Sequence, residues 1–174
     1  MKYLALIIFC LSTSFSLTPS QSQEKQAELS VYVFLEEKCP ISQYYSLSLR
    51  ELYEEYHDQG VTFAAYFPFE SSTSEKVKAY KEKYQLPFEC KVDENQYTAL
   101  AMEATITPEV FVLDEKGELK YQGRIDNAFE RPGKRRRVVT NFELKDAIES
   151  LLAGKEPEVG KTQAVGCYIT FKNY

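Results

Sequence analysis

The stretch Val31–Ser42, VYVFLEEKCPIS, constrains this chain more than any other. Val31–Leu35 is a continuous apolar run, the pattern of a strand buried on both faces. After a short charged link, Pro40 opens a segment in which Ile41, Tyr45, Leu49, Leu52 and Tyr56 recur at helical spacing. Proline suits the first turn of a helix, because its missing N–H would have no partner there anyway. Gly60 supplies the stop. A buried strand therefore feeds a helix, and Cys39 sits at the joint.

The rest of the chain extends that unit. Val61–Phe67 reads as a second buried strand. Ser72 and Glu75 predict a capping box, opening a lysine-rich helix that runs to about Tyr84. A short strand is expected over Phe88–Val92, a short helix over Asn95–Met102 and a third strong strand over Glu109–Asp114. The turn DEKG then leads into Glu118–Gly123, whose alternation predicts a hairpin. Thr140 and Glu143 predict another capping box, for a helix with Leu144, Ala147, Ile148 and Leu151 on one face and Gly154 as its stop. The order β-α-β-α-β-α-β-β-α implies an α/β fold, a central mixed β-sheet with helices on both faces. The 174 residues suit one domain. They divide into a signal peptide and the start of a linker (1–22), the remaining linker (23–28), the folded domain (29–154) and a C-terminal tail carrying Cys167 (155–174).

Lys2 followed by YLALIIFCLS reads as a secretory signal. Its apolar core is short of the roughly 20 residues that span a bilayer. Ser12, Ser14 and Ser16 follow, so cleavage is expected after Ser16 or within LTPSQSQ. A lipoprotein would need small residues before Cys10, where Ile8 and Phe9 stand. The expected protein is exported, periplasmic or extracellular, with no membrane insertion after cleavage. With 21 basic against 26 acidic residues, nucleic acid is excluded as a partner. The run Lys134–Arg137 is read as a solvated loop before the last helix.

Cys10 leaves with the signal, so Cys39, Cys90 and Cys167 remain, and three thiols cannot all pair internally. At a helix N-terminus the free N–H groups and the dipole favour a thiolate, which makes Cys39 a candidate nucleophile or metal ligand. Lys38 adds to that effect, whereas Glu36 and Glu37 oppose it. The alternative is a buried, inert cysteine. Cys90 shares a strand face with Phe88 and Val92, which predicts a buried free thiol. Pro108, directly before a buried strand, is either a strand-entry residue or the second half of a cis Thr107–Pro108 bond.

The segments FLEEKCPIS and TITPEVFVLDEKGELKYQGRID, in this β-α-β order, resemble the thioredoxin-like superfamily. Within it they are most similar to the redoxin group related to alkyl hydroperoxide reductase and thiol-specific antioxidant proteins, and to exported thiol–disulfide oxidoreductases. The resemblance covers about 28–154, and the ending GKTQAVGCYI is similar to that of exported redoxin-domain proteins. It implies a thioredoxin-like fold with Cys39 as the attacking cysteine and Pro108, preceded by Thr107, as the cis-proline. Ser42 stands where the resolving cysteine belongs. A C-x-x-S site can attack a disulfide but cannot release the mixed disulfide through Ser42. The threonine expected three residues before a peroxidatic cysteine is Glu36, which departs from the peroxidase pattern.

Release would then need another thiol, and Cys167, after Gly166 on a tail long enough to fold back over the site, is the candidate. The other readings of Cys167 are pairing with a partner protein, or no role. Thioredoxin-like copper carriers use two cysteines in one loop and a distant histidine; here the loop has one cysteine. The lone His57 stands about 27 Å along the helix from Cys39. Cys39 and Cys167 could act as soft ligands, but zinc's usual four-ligand set is missing, and no metal or cofactor is expected. Arg124 and Asp126 either orient the tail or line the groove or, the preferred reading, form surface ion pairs. Two functions follow. One is an oxidoreductase acting on protein or small-molecule disulfides and thiols, with a redox partner protein. The other is a non-catalytic binding module with a structural Cys39–Cys167 bridge or a Cys-bound copper ion.

Overall fold

The computed structural model describes residues 28–172. The predicted signal and all but the last residue of the linker lie outside the described residues. The elements are, in order, β1 (Leu29–Phe34), α1 (Pro40–Tyr56), β2 (Val61–Phe67), α2 (Ser74–Tyr84), β3 (Glu89–Val92), α3 (Tyr97–Ala101), β4 (Ile106–Thr107), β5 (Glu109–Leu113), β6 (Leu119–Gly123), β7 (Phe129–Arg131), β8 (Lys134–Arg135), α4 (Glu143–Leu152) and β9 (Cys167–Tyr168).

Five strands form one mixed sheet in the order β3-β2-β1-β5-β6. β1 runs parallel to β2, and β2 to β3, whereas β5 is antiparallel to both β1 and β6. Alternation along β1 sends Val31 and Val33 to one face and Tyr32 and Phe34 to the other. The first face packs on α1, α2 and α4 through Leu49, Tyr80 and Ile148, all buried. Each such side chain contributes roughly 1.5–3 kcal/mol by leaving water. The second face is covered differently: Phe34 and Phe111 pack on Ala99 of α3, Ala104 and Ile169 of the tail. So three helices share one face, and a five-residue helix joined by the tail covers the other.

The tail is thus part of the core rather than an irregular appendage. Gln122 and Lys161 form a parallel bridge, and β9 pairs antiparallel with β4. The buried Gln96 side chain donates to Thr170 O and accepts from Lys172 N, fixing the far end.

Three local expectations are corrected. Thr73 rather than Ser72 caps α2, its hydroxyl accepting from Lys76 N, while Ser72 Oγ donates to Glu37 Oε2. Thr140 caps nothing: Asn127 Nδ2 donates to its hydroxyl, and α4 begins after Phe142 with no side-chain cap. The run Lys134–Arg137 begins as a strand, because β7 and β8 form a hairpin in which Glu130 pairs with Lys134 and Arg136. The end of α1 follows expectation, with a 3₁₀ turn over His57–Gln59 and then Gly60 in the left-handed region at φ 86°. Among the described residues no helix is long and apolar enough to cross a membrane.

Candidate active site

Strand β1 ends at the sheet's C-terminal edge, and the link 35–39 turns there into α1. Cys39 is the N-cap residue, extended at φ −69° and ψ 116°, with Pro40 in the first turn as expected. Its amide donates to Glu36 O at 3.2 Å, and its carbonyl accepts from Gln43 N at 3.0 Å. Both bonds hold the thiol at the helix mouth. Ser42, fully buried in the first turn, accepts from Glu36 N at 3.3 Å. The serine at the resolving position therefore ties the link to the helix.

Thr107 and Pro108, joined by a cis bond, approach from the neighbouring strand pair. Cys39 Sγ lies 3.5 Å from Thr107 O. On the other side of Thr107 lies the tail: Thr107 faces Cys167 in the β4–β9 register, and Thr107 Oγ1 donates to Cys167 O at 3.2 Å. Gly166 permits this approach, since a Cβ there would collide with the Thr107 carbonyl. The result is that Cys167 Sγ stands 2.9 Å from Cys39 Sγ, with both sulfurs free thiols. Cys39 is only 1% exposed beneath this cover.

Glu36, from the same link, completes the cluster: its carboxylate and the two sulfurs lie within 4.8 Å of one another. Burial raises the Glu36 pKa above the usual carboxylate value, partly offset by hydrogen bonding with the Cys167 thiol. Burial, then contact with Cys39 and Glu36, pushes the Cys167 thiol up to about 12. These three groups are the only set of metal-ligating side chains so gathered among the described residues. With a metal–sulfur distance of ~2.3 Å, sulfurs 2.9 Å apart would subtend only about 78° at the ion. A tetrahedral ion would require them to separate first. The spacing suits sulfur exchange better.

The structure brings Cys39, Ser42, Thr107, Pro108 and Cys167 together, and leaves the remaining candidates elsewhere. Cys90 is half-buried in β3, on the face shared with Phe88 and Val92. His57 is exposed and stacked on Tyr53. Arg124 pairs with Glu143, and Asp126 is no surface ion-pair partner: it is buried and accepts from Tyr45 OH and Ala128 N. Burial of Tyr45 and Ile125 around that corner leaves Asp126 facing inward. Sequence reasoning missed Glu36 as a member of the site and Gly166 as its fitting. The Gly-Cys pair at 166–167 was the available signal for the second.

Residues 13–122 match the AhpC/TSA family, and the chain belongs to it. The match includes Cys39 and Pro108 and stops before Cys167. No curated protein matches the chain. Among solved structures, an uncharacterized conserved protein from Geobacillus kaustophilus is 26% identical, over 86% of this chain and 80% of that one, with a TM-score of 0.76. A hypothetical protein from Sinorhizobium meliloti 1021 is also 26% identical, over 86% and 82%, with a TM-score of 0.77. A thioredoxin-like protein solved in its oxidized form, 19% identical over 74% and 80% at a TM-score of 0.57, shares the fold. The fold is thioredoxin-like.

Proposed function

We propose that this member of the AhpC/TSA family is an exported thiol–disulfide oxidoreductase that works with Cys39 and Cys167 as its dithiol pair. The observation that carries the reading is the 2.9 Å approach of the two free sulfurs. That is closer than packing alone requires and only about 1 Å beyond a bond of ~2.05 Å. In the reduced protein Cys39 attacks a protein or small-molecule disulfide, forming a mixed disulfide and releasing one thiolate. Cys167 then attacks Cys39 Sγ, closing the Cys39–Cys167 bridge and releasing the second thiolate. A redox partner protein reduces the bridge to complete the cycle. Thr107 and Pro108 form the wall on which substrate and tail alternate, and Ser42 holds the link. Export rests on the N-terminal residues Lys2 to Ser16.

A peroxidase is not proposed, because Glu36 offers no hydroxyl where the threonine of that chemistry belongs. The competing reading, a permanent bridge tying down the tail, is separated by redox poise. A working pair equilibrates with glutathione, whereas a structural bridge has a midpoint below about −300 mV. The test is a glutathione titration of the purified protein, with Cys39 and Cys167 followed by mass spectrometry. We expect a midpoint in the glutathione range, and loss of exchange with glutathione disulfide in Cys39→Ser. A midpoint below that limit, or undiminished exchange in Cys39→Ser, would overturn the proposal.

A further inference from the structure

We propose that Glu36 is the proton acceptor that lets Cys167 resolve the mixed disulfide, so that the catalytic unit is a Glu-Cys-Cys triad and not a dithiol alone. This rests on the oxidoreductase reading above. The Glu36 carboxylate stands within 4.8 Å of both sulfurs, in the link that delivers Cys39 to the helix. Its backbone is fixed at both ends: Glu36 O accepts from Cys39 N, and Glu36 N donates to Ser42 Oγ. The serine that cannot resolve therefore places the carboxylate.

The charged and titratable groups facing Glu36 are Cys39 at the N-cap of α1, Cys167 on β9, and its neighbours Glu37 and Lys38. β4 contributes Thr107, which carries no charge. No other acceptor of comparable basicity reaches the Cys167 thiol from these elements.

Cys167 needs such an acceptor. Burial, then contact with Cys39 and Glu36, pushes its pKa up to about 12, so the thiol and not the thiolate is the form present at pH 7. With Cys39 in a mixed disulfide the incoming Cys167 is still mostly thiol at pH 7, because even an ordinary cysteine titrates at about 8.5. The same burial raises Glu36 toward the working pH, which improves its match as a base. In the step, Cys167 Sγ forms a bond to Cys39 Sγ while the bond from Cys39 to the substrate sulfur breaks. The Cys167 proton passes to the Glu36 carboxylate, and the electron pair of the broken bond leaves on the substrate thiolate. That thiolate then takes the proton from Glu36. One disulfide is exchanged for another, and no further oxidant or reductant enters.

The test is single-turnover reaction of the reduced protein with glutathione disulfide. Attack is timed in the Cys167→Ser background, and resolution by release of the second glutathione. For Glu36→Gln we expect the ratio of resolution to attack to fall on the order of 100-fold at pH 7. That deficit should shrink toward pH 10 as hydroxide takes over the proton. In the wild type, resolution should level off above the titration of Glu36 and stay flat up to about pH 8, as for a carboxylate base. A rise of about tenfold per pH unit there would overturn the triad without any variant. So would an unchanged ratio in Glu36→Gln. If Cys39→Ser reacts as fast as wild type, the oxidoreductase reading fails instead, so the two failures are distinct.

Discussion

Cys90 and Cys167 are alike by every local measure. Both are half-buried free thiols, and burial is the first cause of the raised pKa in each, to about 11 for Cys90 and about 12 for Cys167. Cys90 has the more regular setting: an edge strand of the main sheet, in register with Ala65. Its sulfur's polar neighbour is Phe88 O, at a distant 3.9 Å. Cys167 occupies a two-residue strand in the tail, yet it faces Cys39 and Glu36. Burial and thiol basicity therefore do not distinguish the thiol proposed to resolve from the other. What separates the two is whether a second sulfur and a proton acceptor lie within reach, and topology alone decides that.

Removing each thiol in turn tests this difference directly. Cys167→Ser should stop resolution, leaving protein and glutathione joined through Cys39 as an adduct seen by mass spectrometry. Cys90→Ser should turn over within about twofold of wild type, because Cys90 lies away from the chemistry. Equal loss in both variants would show that the tail thiol has no privileged position.

A smaller effect is expected from Gly166→Ala, which leaves every thiol in place. The added Cβ would meet the Thr107 carbonyl and approach Pro108 Cδ at 3.1 Å, so β9 could not seat on β4. Resolution should slow about tenfold, with a stability cost of about 1–3 kcal/mol. The Ile169 amide, which donates to Thr105 O, should exchange faster in hydrogen-exchange measurements, while the Cys90 strand keeps its protection. Unchanged exchange at Ile169 would mean that the tail tolerates the methyl group and that the close approach is not limiting.

The frame was legible because its signals are periodic and local. Val31–Leu35, the helical spacing from Ile41 to Tyr56 and the hairpin after Asp114 each announce an element within one window. Cys39 was legible for the same reason, being fixed by the strand and helix that flank it. The partner face of the sheet was not. Ile169 and Phe171 reach it from a tail without periodicity, and a two-residue strand such as β9 leaves no pattern to read. Glu36 stood in plain view as a departure from the peroxidase pattern. Its place beside Cys167 depends on a contact across about 130 residues, which no window of sequence contains. Thr140 failed as a cap for a similar reason, since Asn127, thirteen residues upstream, claims its hydroxyl.

The weakest of these changes concerns Cys90, the thiol without a partner sulfur. Its pKa is raised in the folded protein, from an ordinary value near 9 to about 11, because burial disfavours the thiolate. A group raised on folding contributes stability that is fully present below its unfolded value. That stability is lost as pH climbs through the folded one. The window here is therefore about pH 9 to pH 11. At 1.36 kcal/mol per unit, and discounted for partial exposure, the contribution lost is up to about 2 kcal/mol. Urea midpoints at both ends of that window should show wild type losing more stability than Cys90→Ala by that amount. Cys90→Ala should do so without altering glutathione exchange, because the strand holds no second sulfur. If the variant changes exchange but not the alkaline slope, Cys90 is coupled to the site and the division between the two thiols is wrong.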